Sequence, residues 1–192
     1  MRTRQFIIDK TAPVFNTKGY AATSLQDLTN ATGLSKGALY GNFNNKEAIA
    51  IAAFQYSMEK VREAAGAKLD KSVRFRDKLI GLFEFYVQYV FNSPIPGGCP
   101  LMNTAVEADD FNKFMKKTVA AEINKTIDFI AGLIEKGKKS GEFRADIIPV
   151  DIALIFFSSI EGAIVISRIS SSDASMRAVI SHCKSILEQI SV

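Results

Sequence analysis

Residues 34–46 of this 192-residue chain concentrate side chains that can contact a nucleic acid. Lysine, tyrosine and asparagine hydrogen-bond to phosphates and base edges, and small residues beside them let a bulky partner approach the backbone. The candidates for base contact are Lys36, Gly37 and Ala38. The candidates for phosphate contact, in this segment and shortly before it, are Thr23, Ser24, Tyr40, Asn42 and Lys46.

The same segment predicts a short helix over Ser35–Phe43. Ser35 suits the N-cap position of that helix and joins the candidate surface. Leu39 and Phe43 lie four residues apart and are expected to face inward, which leaves the small and polar residues toward solvent. An ordinary surface helix followed by a glycine turn is the alternative, and this segment alone does not decide between the two.

Catalytic and metal chemistry have little support. The single histidine, His182, has no partner at the spacing of a metal site or a catalytic triad. The acidic group of Glu107, Asp109 and Asp110 also lacks histidine or cysteine partners at ligand spacing. We therefore expect no enzyme activity, no metal and no cofactor.

Charge is unevenly distributed along the chain. Residues 1–46 carry six basic and two acidic side chains, whereas the remainder carries 18 of each and is neutral. The positive excess thus coincides with the candidate surface, as expected for a nucleic-acid contact, although chance asymmetry in a short segment is the alternative.

The composition indicates a bacterial cytoplasmic protein. Residues 1–10 are polar and charged, which predicts no signal peptide. The uncharged stretch 85–106 is interrupted by prolines and glycines, so no membrane span is expected there. The two cysteines are expected to be thiols rather than a disulfide.

Two short helices must position the candidate surface. Thr23 and Gln26 have the spacing of a capping box at the start of the first helix. Gly33 can adopt the left-handed turn that leads into Ser35. Two short helices joined by a tight glycine turn form a helix-turn-helix, whose second helix enters the major groove of DNA.

At this point the sequence resembles the TetR family of bacterial transcriptional repressors. The resemblance covers about residues 5–55 and is carried by Phe15, Gly19-Tyr20, Ala22-Thr23-Ser24, Gly33-Leu34-Ser35-Lys36-Gly37, Leu39-Tyr40, Phe43 and Lys46-Glu47. It implies a homodimer that binds a double-stranded operator with two copies of the reader helix and responds to a small-molecule inducer.

Hydrophobic periodicity predicts an all-α fold of about nine helices. The first helix, over 3–18, is expected to kink at Pro13 and to end at Gly19. The fourth, capped by Asn44 or Asn45, runs to about Ala64, where a weak break over 65–72 follows. Later helices are expected over 73–92, 101–109, 111–140, 150–169 and from 172 or 173 onward. We divide the chain into a helix-turn-helix domain, 1–46, and a ligand-binding and dimerisation domain, 47–192.

The helix over 150–169 is apolar on nearly every side and therefore needs burial all round. An ordinary core helix would satisfy this, but the family resemblance implies that the last two helices pair with their copies in a four-helix bundle. The residues assigned to this dimer interface are Ile152, Ile155, Phe156, Ile160, Ile164, Val179 and Ile186.

A ligand pocket is expected between helices of the second domain, where small apolar ligands usually bind. Its candidate lining consists of Phe83, Tyr86, Tyr89, Val90, Cys99, Met102, Phe129 and Phe156. A filled hydrophobic core is the alternative, and the family resemblance favours the pocket.

The loop around Cys99 resembles one branch of the TetR family, which includes the repressor responsive to N-ethylmaleimide. A helix beginning near Pro100 would stabilise the thiolate of Cys99, which is the reactive form of cysteine. A small buried thiol that packs the loop is the alternative.

Together these features predict a homodimeric, ligand-responsive, DNA-binding repressor. The other possibilities are an electrophile sensor acting through Cys99, an activator or architectural DNA-binding protein without a ligand, and a helical interaction protein whose helix-turn-helix is vestigial.

Overall fold

A computed structural model describes residues 2–69, 73–110 and 113–192. Within these residues the protein is all-α, as predicted, with nine helices and one isolated β-bridge between Phe143 and Ser191. The helices are α1 (Arg2–Ala22), α2 (Leu25–Thr32), α3 (Lys36–Tyr40), α4 (Lys46–Leu69), α5 (Phe75–Tyr89), α6 (Pro100–Asp110), α7 (Lys113–Lys139), α8 (Pro149–Ile169) and α9 (Ala174–Ile190). The end of the predicted break, at 70–72, and the predicted helix start at Phe111 lie outside the described residues.

The chain forms two compact units. The first comprises residues 1–61 and 93–122, and the second comprises residues 62–92 and 123–192. Residues of α6 belong to the first unit because α6 packs against α1. The division at residue 46, which separates predicted functions rather than compact units, stays a prediction.

The core of the first unit holds the helix-turn-helix together. It consists of Ile7, Ile8, Leu28, Leu39, Phe43 and Ile49. Leu39 and Phe43 therefore face inward, as their spacing predicted. Burial of each such side chain contributes about 1.5–3 kcal/mol, so α3 is anchored mainly by these two residues.

Helix α1 bends at Gly19 and not at Pro13. Gly19 has φ 77° and ψ 166°, which lie outside the helical region, whereas the helix continues through Pro13. The kink expected at Pro13 was wrong because this residue removes only the donor to the carbonyl of Asp9, an exposed residue where water can replace the bond.

In the second unit, α9 packs against both α5 and α8. Pro149 opens α8 at a position where its missing N–H costs nothing, and Gly141, with φ 77°, follows the end of α7. Among the described residues one helix, α8, is long and apolar enough to cross a membrane, judged by length and composition only. The core helix of a soluble protein also passes this test.

Candidate nucleic-acid interface

The first helix of the helix-turn-helix is capped one residue later than predicted. The Ser24 hydroxyl accepts from the backbone N–H of Asp27 at 3.1 Å, and the Asp27 carboxylate accepts from the N–H of Ser24 at 2.8 Å. This reciprocal pair is the capping box. Thr23 is only 1% exposed, and its hydroxyl donates to the carbonyl of Gly19. Its assignment as a phosphate contact was therefore wrong, because the side chain is used inside the turn.

The turn and the reader helix follow the sequence prediction closely. Gly33 is left-handed, with φ 67°, and its N–H donates to the carbonyl of Thr29 at 2.8 Å. The Ser35 hydroxyl accepts from the N–H of Ala38 at 3.2 Å and so caps α3. Helix α3 ends at Tyr40, earlier than predicted, but the N–H of Phe43 still donates to the carbonyl of Leu39.

The outer face of α3 presents a cation, a phenol and uncovered backbone. Lys36, Gly37 and Tyr40 are exposed, as is the capping Ser35, and Ala38 is half-buried. The Lys36 ammonium lies 6.0 Å from the centre of the Tyr40 ring. Such a face can approach a base pair closely and can hydrogen-bond to bases and phosphates.

Asn42 has a role within α3 itself. Its side-chain amide donates to the carbonyl of Ala38 at 2.9 Å, and the residue is half-buried. This bond satisfies one of the carbonyls left open at the end of the helix. Phosphate contact by Asn42 stays a prediction and would have to compete with this bond.

Lys46 is directed into the protein. Its ammonium donates to the carbonyl of Tyr20 at 2.7 Å and lies 4.1 Å from the centre of the Tyr20 ring. Burial lowers the pKa of Lys46, although the negative charges of Glu107 and Asp27 act in the opposite direction. The side chain holds the last turn of α1, beyond the bend at Gly19, so its assignment as a phosphate contact is not supported by its position.

Sequence reasoning missed Glu107 as a partner of the same turn. Its carboxylate accepts from the N–H of Tyr20 at 2.7 Å and of Ala21 at 3.4 Å. A Cβ atom at Gly19 would displace the Glu107 carboxylate, whose oxygen would lie 2.3 Å away, and the positive φ of 77° at this position itself favours glycine. The acidic cluster 107–110 was the available signal, but it had been considered for catalytic and metal chemistry and not as a partner of α1.

A second contact joins α1 to the loop before α6. The Asn16 amide donates to the carbonyls of Pro96 at 2.8 Å and Gly98 at 3.1 Å. The Asn103 amide donates to the carbonyls of Asn16 at 3.0 Å and Gly97 at 3.1 Å. The helix-turn-helix is thus fixed to the rest of the first unit by side chains on both α1 and α6.

Cys99 lies at the start of α6. Its carbonyl accepts from the N–H of Asn103 at 3.1 Å, and the residue is 7% exposed. The predicted helix start near Pro100 is confirmed. The burial of Cys99 limits the access of reagents to the thiol, so electrophile sensing stays a prediction.

The predicted ligand-lining residues do not surround a described cavity. Cys99 and Met102 belong to the first unit, and the other six belong to the second. Phe83 and Phe156 are buried and pack edge to face with their ring centres 5.0 Å apart. Phe129 is 50% exposed on α7, so its assignment to the pocket was wrong. An apolar stripe on a helix shows which residues avoid water but not whether a void lies among them.

Two cavities lie elsewhere. One of about 30 Å³ lies in the first unit beside Asn16, Tyr20 and Glu107, and has room for about one water molecule. The other is an open groove of about 450 Å³ between α5 and α9, lined by Glu84, Val87, Gln88, Arg177, Ile180, Ser181 and Lys184. Neither includes any of the eight predicted lining residues.

The predicted dimer residues divide into two groups. Phe156, Ile160 and Ile164 are buried inside the second unit, so a partner cannot reach them and their assignment was wrong. Ile155 is exposed, and Ile152, Val179 and Ile186 are half-buried. Further exposed apolar residues lie on the same side of α8 as Ile155, and the predicted interface did not include them. We call this the apolar face of α8, formed by Leu154, Ile155, Val165, Ile166 and Ile169.

Comparison with known proteins agrees with the geometry of the helix-turn-helix. Residues 7–53 match a family described as bacterial regulatory proteins, tetR family, and residues 76–183 match the tetracyclin repressor-like C-terminal domain. The HTH-type transcriptional repressor DhaR of Mycobacterium sp. (strain GP1) is 25% identical over an alignment that covers 86% of this chain and 82% of DhaR.

Solved structures share the whole fold. A TetR-family transcriptional regulator from Cytophaga hutchinsonii is 40% identical, with a TM-score of 0.92 over 100% of this chain and 96% of that chain. A cysteine mutant of the TetR-family regulator CifR, complexed with 26-bp double-strand operator DNA, is 19% identical, with a TM-score of 0.84 over 97% and 95% of the two chains. The C-terminal match alone covers more than half of the sequence. The chain therefore belongs to the TetR family of DNA-binding transcriptional regulators.

Proposed function

We propose that this protein is a homodimeric repressor that binds a pseudo-palindromic operator and leaves it when a small-molecule inducer binds. The observation that carries the proposal is α3, a Ser35-capped helix whose exposed face combines Lys36 and Tyr40 with the uncovered backbone of Gly37. Two such helices, one from each subunit, would enter successive major grooves. CifR, a relative of the same fold, has been solved on operator DNA.

The apolar face of α8 supports the homodimer. Its five large side chains are exposed in the single chain, and an exposed apolar patch of this kind marks an interaction site. A symmetric pair of chains would bury the same face on both subunits. Half-buried Val179 and Ile186 on α9 are the proposed neighbours of this interface.

Induction is proposed to act through the spacing of the two reader helices. An inducer releases DNA only if it binds better to the form in which the readers are wrongly spaced. Helix α4 is uninterrupted from Lys46 to Leu69, so a tilt at its far end would move the turn beside the reader. The inducer is proposed to be a small molecule, and the proposed site of action is the bacterial cytoplasm.

The test is selection of bound sequences from a random DNA pool with the purified protein at two salt concentrations. We expect an enriched palindrome with half-sites about one helical turn apart, or a multiple of it. Binding that depends on salt but not on sequence would contradict the proposal, and would favour an architectural protein or a vestigial helix-turn-helix.

A variant of Lys36 tests the reader surface. Replacing Lys36 by alanine should weaken binding to the selected operator and, if the ammonium of each subunit contacts phosphate, reduce the salt slope by about two. Lys125, an exposed lysine on α7, provides the control, since Lys125→Ala removes the same charge far along the chain from α3. Equal binding by wild-type protein and the Lys36→Ala variant would show that this face of α3 has been assigned wrongly.

A further inference from the structure

Two of the six lysines and arginines before residue 47 are engaged by partners within the protein. Lys18 forms an ion pair with Asp27 at 2.5 Å, and the Lys46 ammonium donates a hydrogen bond to the carbonyl of Tyr20. Between residues 19 and 45 the sequence contains one basic residue, Lys36, at the first position of α3. The far end of the reader helix therefore has no lysine or arginine from its own segment.

Arg4 reaches that far end from the beginning of α1. Its guanidinium carbon lies 4.6 Å from the centre of the Phe43 ring, and the Arg4 side chain is exposed. Phe43 closes the last turn after α3 and is only 4% exposed. The guanidinium group thus lies on the outer side of a buried ring that belongs to the reader.

A helix in the major groove has phosphates along both edges of the groove. At the first turn of α3, Lys36 can meet one of these edges. At the other end the nearest residues, Gly41 and Asn42, are uncharged. A phosphate at that end can pair with a cation only if one is supplied from elsewhere in the chain.

We propose that Arg4 is a phosphate-contact residue of the reader, held in place by Phe43, so that α3 is flanked by a cation at each end. Stacking on the ring orients the planar guanidinium group before DNA arrives, and its remaining N–H donors can bind a phosphate. The inference rests on the proposed DNA binding and extends it to a residue outside the helix-turn-helix.

The experiment measures affinity for the selected operator as a function of salt concentration. One phosphate contact contributes about 0.9 to the salt slope, and the proposed homodimer carries Arg4 twice, so Arg4→Ala should reduce the slope by about two and weaken binding about a hundredfold at 0.1 M salt. Arg4→Lys should keep the slope, because the charge remains, and should lose part of the affinity with the planar group.

Lys10 supplies a matched control on the same helix. Its ammonium also lies over a ring, 5.9 Å from the centre of Phe6, and it is about 9 Å farther along α1. Lys10→Ala removes the same charge and the same kind of contact, and should leave the slope unchanged. Thermal melts of both alanine variants show whether each remains folded.

Three results would overturn the inference. The first is an equal slope for Arg4→Ala and Lys10→Ala in folded protein. The second is a slope for Arg4→Lys as low as that of Arg4→Ala. The third is a changed sequence preference in Arg4→Ala, since a phosphate contact weakens all sites alike. Failure of the wild-type protein to select any operator would instead contradict the proposed function.

Discussion

Gly97 lies against the backbone of α1 in a conformation that strains any residue with a side chain. Its φ is 110°, and a Cβ atom there would lie 2.6 Å from the carbonyl oxygen of Asn16. We expect Gly97→Ala to lower the free energy of unfolding by about 1–3 kcal/mol, because both the backbone strain and the clash must be relieved. Urea denaturation of the purified protein measures the change.

Gly132 gives the opposite expectation and serves as the control. It lies within α7, and a Cβ atom there would meet nothing within 4 Å. Gly132→Ala should therefore stabilise the protein by about 0.5–1 kcal/mol, since alanine has the higher helix propensity. If the two substitutions shift the unfolding midpoint in the same direction, the close packing of Gly97 on Asn16 is contradicted.

Residue-level prediction succeeded where the partners are close in sequence. The Ser35 cap and the Gly33 turn depend on bonds to residues three or four positions away, and local spacing shows such bonds directly. The bonds from Glu107 to Tyr20 and from Asn16 to Gly98 join residues more than 80 positions apart. No spacing rule connects them, so these long-range supports of the helix-turn-helix could not be predicted from the sequence.

At the scale of single helices, α5 takes its cap from a distant part of the second unit. Its N-cap residue, Arg74, makes no side-chain cap bond. Instead, the Glu142 carboxylate accepts from the N–H groups of Phe75 at 3.2 Å and Arg76 at 3.0 Å. Burial acts to raise the pKa of Glu142, but these two N–H bonds and the charge of Arg74 outweigh it and lower the pKa overall.

This cap predicts a dependence of stability on pH. A carboxyl whose pKa is lower in the folded state stabilises the protein fully above its unfolded pKa, near 4.3, and the contribution disappears as the pH falls through the folded value. Glu142→Gln should cost about 1 kcal/mol at pH 7 and should lose less stability than wild type on acidification. Thermal melts between pH 7 and pH 3 measure both effects.

Glu135 is the control for that experiment. It lies on α7 and forms an exposed ion pair with Lys139 at 3.4 Å. Glu135→Gln should leave stability at pH 7 and the acid profile close to wild type, since exposed pairs contribute little. An acid profile for Glu142→Gln that matches wild type would contradict the capping role of Glu142.

At the scale of the whole molecule, the apolar face of α8 is the surface through which we expect the protein to form a dimer. Ile166→Glu places a charge on this face and should convert the proposed dimer to monomer, with loss of operator affinity because the two half-sites are no longer bound together. Sedimentation equilibrium measures the mass.

The matching control is Val106→Glu on α6, an exposed apolar residue outside α8 and α9. It should leave the mass and the affinity unchanged. A dimer that persists in Ile166→Glu would show that another surface joins the subunits.

The sequence showed that α8 must be buried on all sides but not which side meets a partner. Phe156, Ile160 and Ile164 have the same apolar character as Leu154, Val165 and Ile166, so composition cannot divide them between a protomer core and an outer face. The division depends on where α5 and α9 pack. For the same reason, the predicted pocket could not be distinguished from a filled core before the aromatic contacts were known.

The two cysteines lie in different compact units and are both buried. Burial raises the pKa of the Cys183 thiol to about 11, so it stays protonated and unreactive while α9 is packed. A thiol-reactive dye can therefore modify Cys183 only when the second unit opens, and Cys99 only when the loop before α6 loosens. With one cysteine replaced at a time, modification rates under native conditions would give separate opening free energies for the two halves of the molecule.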